Sequence, residues 1–123
     1  KMNTYFNYRD SDIQEKYKTH LKLCNQFFSS PCKYISKRIF DPFQTSYTIC
    51  KNNFPYRVPY KNIYHYVLWI NPKYMKYYKS SRIKSLIYTH FNNKKVIKCF
   101  RNEISLQTVP EIPHYHIFVK NDF

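Results

Sequence analysis

Ile63-Tyr64-His65-Tyr66-Val67-Leu68-Trp69-Ile70 is the stretch on which the fold turns. It is dense in β-branched and aromatic residues, closed by Asn71-Pro72, and far too short to span a bilayer, so it reads as a buried strand. Downstream, Ser81 caps an expected helix over 81–91 with Ile83, Leu86, Ile87, His90 and Phe91 on one face and Asn92-Asn93 as its stop. Lys95 to Phe100 and His114 to Val119 read as two further strands, with one helical turn expected between Ile104 and Gln107. Upstream, Ser11-Asp12-Ile13-Gln14 has the form of a capping box. Ile13, Tyr17, Leu21, Cys24 and Phe28 then recur at helical spacing, predicting a helix near 12–28. Pro31 opens a second short helix that Asp41-Pro42 stops, and residues 45–50 suit a short strand. The fold class is therefore α+β: a small mixed β-sheet with helices packed on it and a helical N-terminal part. One domain over 1–123 is expected, loosely ordered over 1–10. The β-α-β crossover makes the strands at 63–70 and 95–100 parallel.

Composition carries two messages. Gly and Ala are absent, whereas Lys, Asn, Tyr, Ile and Phe make up 63 of the 123 residues. Their codons point to an AT-rich genome, such as that of a large DNA virus, a parasite or a cytoplasmic genetic element, so bare counts of Lys or Tyr carry little argument. The distribution of charge carries more. Net charge is +14, and between Asp41 and Glu103 there is no acid at all. Lys73, Lys76, Lys79, Arg82, Lys84, Lys94, Lys95, Lys98 and Arg101 fall in that interval, and Asn102 follows them. A field of one sign suits nucleic acid, an acidic protein or a phosphorylated ligand, and Tyr64, Tyr66, Trp69 and Tyr74 are placed to stack on bases. With no Gly there is no phosphate-binding glycine loop, and seven acids leave little for paired-carboxylate chemistry. No apolar run suggests a membrane span or a signal sequence, so a cytoplasmic, intracellular protein is expected. Cys24, Cys32, Cys50 and Cys99 form no C-x-x-C pair and are expected to be free, mostly buried thiols.

The second half holds the most specific features. Asn53-Phe54-Pro55-Tyr56 leads into His65-Tyr66-Val67-Leu68-Trp69, and Asn102 leads to His114-Tyr115-His116-Ile117-Phe118. Over roughly 50–120 this spacing resembles the N-acetylglucosamine-induced protein family, a domain of unknown function with fungal and viral members. The resemblance implies a fold and a set of histidines, and no activity. His114-Tyr115-His116 is also similar to the paired-histidine strand of rolling-circle replication endonucleases, which would cast Tyr77, Tyr78 or Tyr88 as nucleophile. Side chains alternate along a strand, so His114 and His116 share one face. Were the last strand to lie parallel beside residues 63–70, His65, His114 and His116 would converge on a divalent metal (Zn, Mn or Fe), with Asn53 or Asn102 at the rim. Two classes of function follow: a binding module for nucleic acid or another anionic partner, within a viral or plasmid-encoded assembly, or a metal-dependent hydrolase, phosphoesterase or nuclease on the three histidines.

Overall fold

The computed structural model describes residues 8–42, 45–58, 61–92, 95–102 and 107–120. Its framework is helix α1 (Ser11–Phe28), helix α2 (Pro31–Ile35) running on as a wide turn over Ser36–Phe40, and strand β1 (Tyr47–Lys51). Strand β2 (Ile63–Ile70) follows, then a 3-10 helix (Pro72–Tyr77), helix α3 (Ser80–His90) and strands β3 (Lys95–Phe100) and β4 (His114–Lys120). The expected α+β class holds. Lys94, Asn93 and the expected helical turn over 104–107, apart from Gln107, lie outside the described residues.

Local chemistry sets several boundaries. Ser30 accepts a hydrogen bond from the Lys33 N–H while Pro31 occupies the first turn, so α2 starts where a cap and a fixed φ coincide. Asn71 does the same for the 3-10 helix, accepting from Lys73 N–H. The cap of α1 is Asp10 and not Ser11, and it makes no side-chain cap bond, so the expected capping box is not formed. Likewise Lys79, not Ser81, precedes α3. Ser29 ends α1 at φ 74°, a left-handed position that glycine usually fills and that a glycine-free chain must give to something else.

The four strands form one sheet in the order β1-β2-β4-β3, with every neighbouring pair antiparallel. β2 and β3 are both antiparallel to β4, so they run parallel to each other, as the crossover predicts, but with β4 inserted between them. The last strand thus lies beside β2 antiparallel, correcting the parallel placement considered above. The reason lies in the short return over 101–113: a chain leaving β3 and re-entering next to it without a helical crossover comes back antiparallel. Inserted at the centre, β4 is buried on both faces, with Ile117, Phe118 and Val119 fully enclosed.

One face of the sheet carries Leu68, Ile70, Ile117 and Val119 against Ile83 and Ile87 of α3 and Phe91 just after it. The other carries His65, Val67 and Trp69 from β2 and His114, His116 and Phe118 from β4. Trp69 there meets Phe40, Val109 and Ile112, below α2. α1 reaches this face through Phe54, whose ring lies 5.2 Å from Tyr17 and 4.9 Å from His20. Residues 8–10 are tied to the same loop: Arg57 N–H donates to Tyr8 O, and Arg9 Nε donates to Phe54 O at 2.6 Å. No described helix is long and apolar enough to cross a membrane. The thiols are free as expected but less hidden: Cys24 is buried, Cys32 and Cys50 half-buried, Cys99 exposed.

Candidate functional site

The loop after β1 is shaped by Asn52. Its backbone N–H donates to His65 O, extending the ladder by one step, and its Oδ1 accepts from Phe54 N–H at 2.8 Å. That turn carries Tyr56 back over the sheet, where its backbone N–H reaches Nδ1 of His65 at 3.1 Å. The Asn53–Tyr56 segment therefore anchors α1, holds Arg9 and fixes a histidine.

A proton order follows from that one bond. Nδ1 of His65 accepts, so a neutral His65 carries its proton on Nε2. Nε2 lies 2.8 Å from Nδ1 of His116, which must accept it, leaving the proton of His116 on Nε2. Nε2 of His116 is 3.2 Å from the Asn102 amide, whose Nδ2 is also 2.8 Å from Tyr56 Oη. Amide oxygen and nitrogen are alike in shape, and a half-turn of Asn102 lets Oδ1 accept from both His116 and Tyr56. Burial, reinforced by His116 and Arg9, holds His65 at a pKa of about 2, and burial, reinforced by His114 and Arg9, holds His116 at about 3, so both are neutral at physiological pH. His114 is separate from this chain. Its Nδ1–H donates to Ile112 O at 2.8 Å, so Nε2 bears the lone pair, and burial lowers its pKa too.

The three histidines thus share one face, as the strand alternation predicts. His65 and His116 are in contact, and the rings of His114 and His116 are 5.6 Å apart. Both nitrogens of His65 are engaged by protein. Among the described residues no group of three His, Cys, Asp or Glu is arranged to hold a metal ion.

Between this face and the two N-terminal helices lies a cavity of about 400 Å³. Tyr17, His20 and Leu21 of α1, Tyr34 and Ile35 of α2, Arg38, Phe54, Tyr56, Trp69, Asn102, Gln107, His114 and His116 are among its lining residues, as is Arg9. No acid lines it. The Arg9 guanidinium lies between two rings, 4.0 Å from the centre of Tyr17 and 4.8 Å from that of Tyr56. Neither Arg9 nor Arg38 is in an ion pair with an acid among the described residues, where the pairs are Lys18–Glu15 and Arg57–Asp10.

The basic residues singled out by charge sit elsewhere. Lys73, Lys76, Lys79, Arg82 and Lys84 are exposed on the 3-10 helix, on α3 and on the link between them, over the face away from the cavity. Lys95 and Arg101 are exposed and Lys98 half-buried, at β3 and its end. Of the described members of that set only Asn102 lines the cavity. Among the aromatic candidates only Trp69 does; Tyr66 packs on Phe91 and Tyr64 under Lys51. Tyr77, Tyr78 and Tyr88 lie on the α3 side of the sheet, with the sheet between them and His114, so none is placed as a nucleophile for the paired histidines. Arg9 and Arg38 escaped the sequence reading because single arginines among 21 basic residues carry no signal.

A family model described as "Protein of unknown function (DUF3605)" matches residues 1–120. No curated protein matches the chain. Among solved structures, one described as "Crystal Structure of HTC1" is similar at TM-score 0.61 and 18% identity, over 93% of this chain and 76% of that chain. A likeness at that identity shows a shared fold.

Proposed function

Starting from a chain that belongs to the family described as "Protein of unknown function (DUF3605)", we propose a binding module for an anionic partner of nucleic-acid type. The observation that carries this reading is the cavity: lined by no acid among the described residues, with the half-buried cation Arg9 held inside it by two tyrosine faces and one carbonyl. A cation withdrawn from water without a carboxylate is costly, and an incoming phosphate or carboxylate offsets that cost through charge-assisted bonds. The exposed lysines on the other face add long-range attraction. An intracellular, virus- or plasmid-encoded setting belongs to the same proposal and rests on the Gly- and Ala-free composition. The closer kinship with the N-acetylglucosamine-induced family also belongs to it, resting on the Asn53–Tyr56 and His114–His116 motifs.

The test is anisotropy of a labelled single-stranded oligonucleotide at low salt, with Arg9→Ala and Arg38→Ala beside the wild type. Each substitution is expected to weaken binding roughly tenfold, the scale of one charged hydrogen-bonding contact. Absence of binding at low salt, or binding indifferent to both substitutions, overturns the proposal.

The enzyme reading keeps one observation in its favour: His65, His114 and His116 share a single face, two of them lining the cavity. A divalent ion there would require the His65–His116 hydrogen bond to open. Uptake of one equivalent of Zn²⁺ or Mn²⁺ by the wild type, lost in His116→Ala, would move the assignment to a metal-dependent hydrolase.

A further inference from the structure

Resting on the reading of the cavity as an anion site, we infer that it takes a single nucleotide, its phosphate at Arg9 and its base among the rings against His114. The shared chemistry is one nucleotide unit, either a free mononucleotide or the terminal unit of a single strand.

Three observations converge. The volume of about 400 Å³ lies at the small end of ligand sites, enough for one such molecule and too little for a run of stacked bases. Flat rings form much of the wall: beside Tyr17 and Tyr56, which hold Arg9, the cavity is lined by Trp69 of β2 and Tyr34 of α2, and these two suit a planar ring. Polar groups of several kinds line the space, Arg38, Lys51, Asn102 and Gln107 among them, and two have a defined character. Arg9 offers guanidinium N–H groups, whereas His114 offers only the Nε2 lone pair, because its single proton is committed to Ile112 O. A lone pair repels a second phosphate and accepts an N–H. The burial that keeps His114 neutral maintains this choice over the physiological range. A ligand with an anionic end, a flat middle and an N–H-bearing edge satisfies all three. A bare polyanion satisfies one. His65 enters as a positioning residue: by directing its proton to His116 it orients the Asn102 amide that borders the same space.

Trp69 is the chain's single tryptophan and lines the cavity, its ring 4.6 Å from that of His114, so its fluorescence reports occupancy without any mutation. The wild type is titrated with nucleoside monophosphates, with ribose 5-phosphate and with inorganic pyrophosphate. Monophosphates are expected to bind at least tenfold more tightly than ribose 5-phosphate and to quench Trp69, the scale of one stacked base. Equal affinities for all three overturn the nucleotide inference and leave the anion reading standing. Failure of every phosphate compound to bind removes both. His114→Phe is expected to weaken monophosphates roughly five- to tenfold without changing ribose 5-phosphate. Should that buried variant not fold, Arg9→Ala, which removes the group assigned to the phosphate, serves instead. It must weaken both ligands alike, and a loss confined to one of them contradicts the assigned orientation. Displacement of the mononucleotide by a linear strand but not by its circular counterpart assigns the site to strand ends. Displacement by neither assigns it to free mononucleotides.

Discussion

A neutral imidazole buried beside another neutral imidazole has a definite consequence for pH. In the unfolded chain both His65 and His116 titrate near the ordinary value of 6.5; in the folded chain they are held at about 2 and about 3, chiefly by burial. The depressed pKa values mean that stability is fully present above 6.5 and is lost as pH falls, because below 6.5 the unfolded state binds protons that the folded state refuses. Each histidine then costs up to about 1.4 kcal/mol per pH unit, down to its folded pKa. Against a typical total of about 5–15 kcal/mol, two such groups bring acid unfolding well above the pKa range of the few carboxylates. Thermal melts are expected to drop steeply between pH 6.5 and 4.5 in the wild type. A His65→Phe, His116→Leu double variant should be less stable at pH 7 but flatter across that window. A wild-type melting temperature unchanged from pH 7 to 5 would show that the pair is not buried and neutral. These histidines were legible in the sequence, since strand alternation alone puts His114 and His116 on one face. Their partners were not. The acceptor role of His65 depends on a backbone N–H nine residues upstream, and no side-chain pattern encodes that Tyr56 folds back to supply it.

At the scale of elements, the boundary that exacts most from this composition is the end of α1. Ser29 takes φ 74°, where a Cβ crowds the backbone, and the chain uses no glycine to relieve it. Ser29→Gly should therefore raise stability by roughly 1 kcal/mol, a few degrees in melting temperature. A drop instead would mean that Ser29 holds some compensating bond. The elements themselves could be read from the chain because their signals are local: Pro31 with Ser30, Asn71 with Pro72, and the apolar densities of 63–70 and 114–119. Their assembly could not. Whether the last strand runs parallel or antiparallel beside β2 depends on how residues 101–113 return, and this segment carries no periodicity. The cavity was still less visible. It is a gap between α1, α2, one loop and a sheet face, and each of its walls looks like ordinary core when read alone.

On the whole molecule the two positive features lie on opposite sides. Net charge is +14, yet the exposed Lys73, Lys76, Lys79, Arg82 and Lys84 cover the α3 side, whereas Arg9 and Arg38 border the cavity beyond the sheet. A small ligand can meet only the second set. A longer strand can enter the cavity at its end and also feel, or wrap toward, the first. If about four to six phosphates are engaged, the slope of log K against log salt should be about −3 to −5 for a strand. A mononucleotide, with one phosphate at Arg9, should show a slope nearer −1. The two sets can then be separated by charge reversal far from the cavity. Arg82→Glu with Lys84→Glu alters exposed positions on α3, and Ile83 and Ile87 keep that helix packed on the sheet. This variant should bind strands more weakly and with a shallower salt slope, while its mononucleotide affinity stays within about twofold of the wild type, since charges beyond a Debye length of about 8–10 Å are largely screened. Equal losses for both ligands would place the small-molecule site on the α3 side. No loss for strands would make the lysines a solvated surface shaped by codon bias, with the cavity alone responsible for binding.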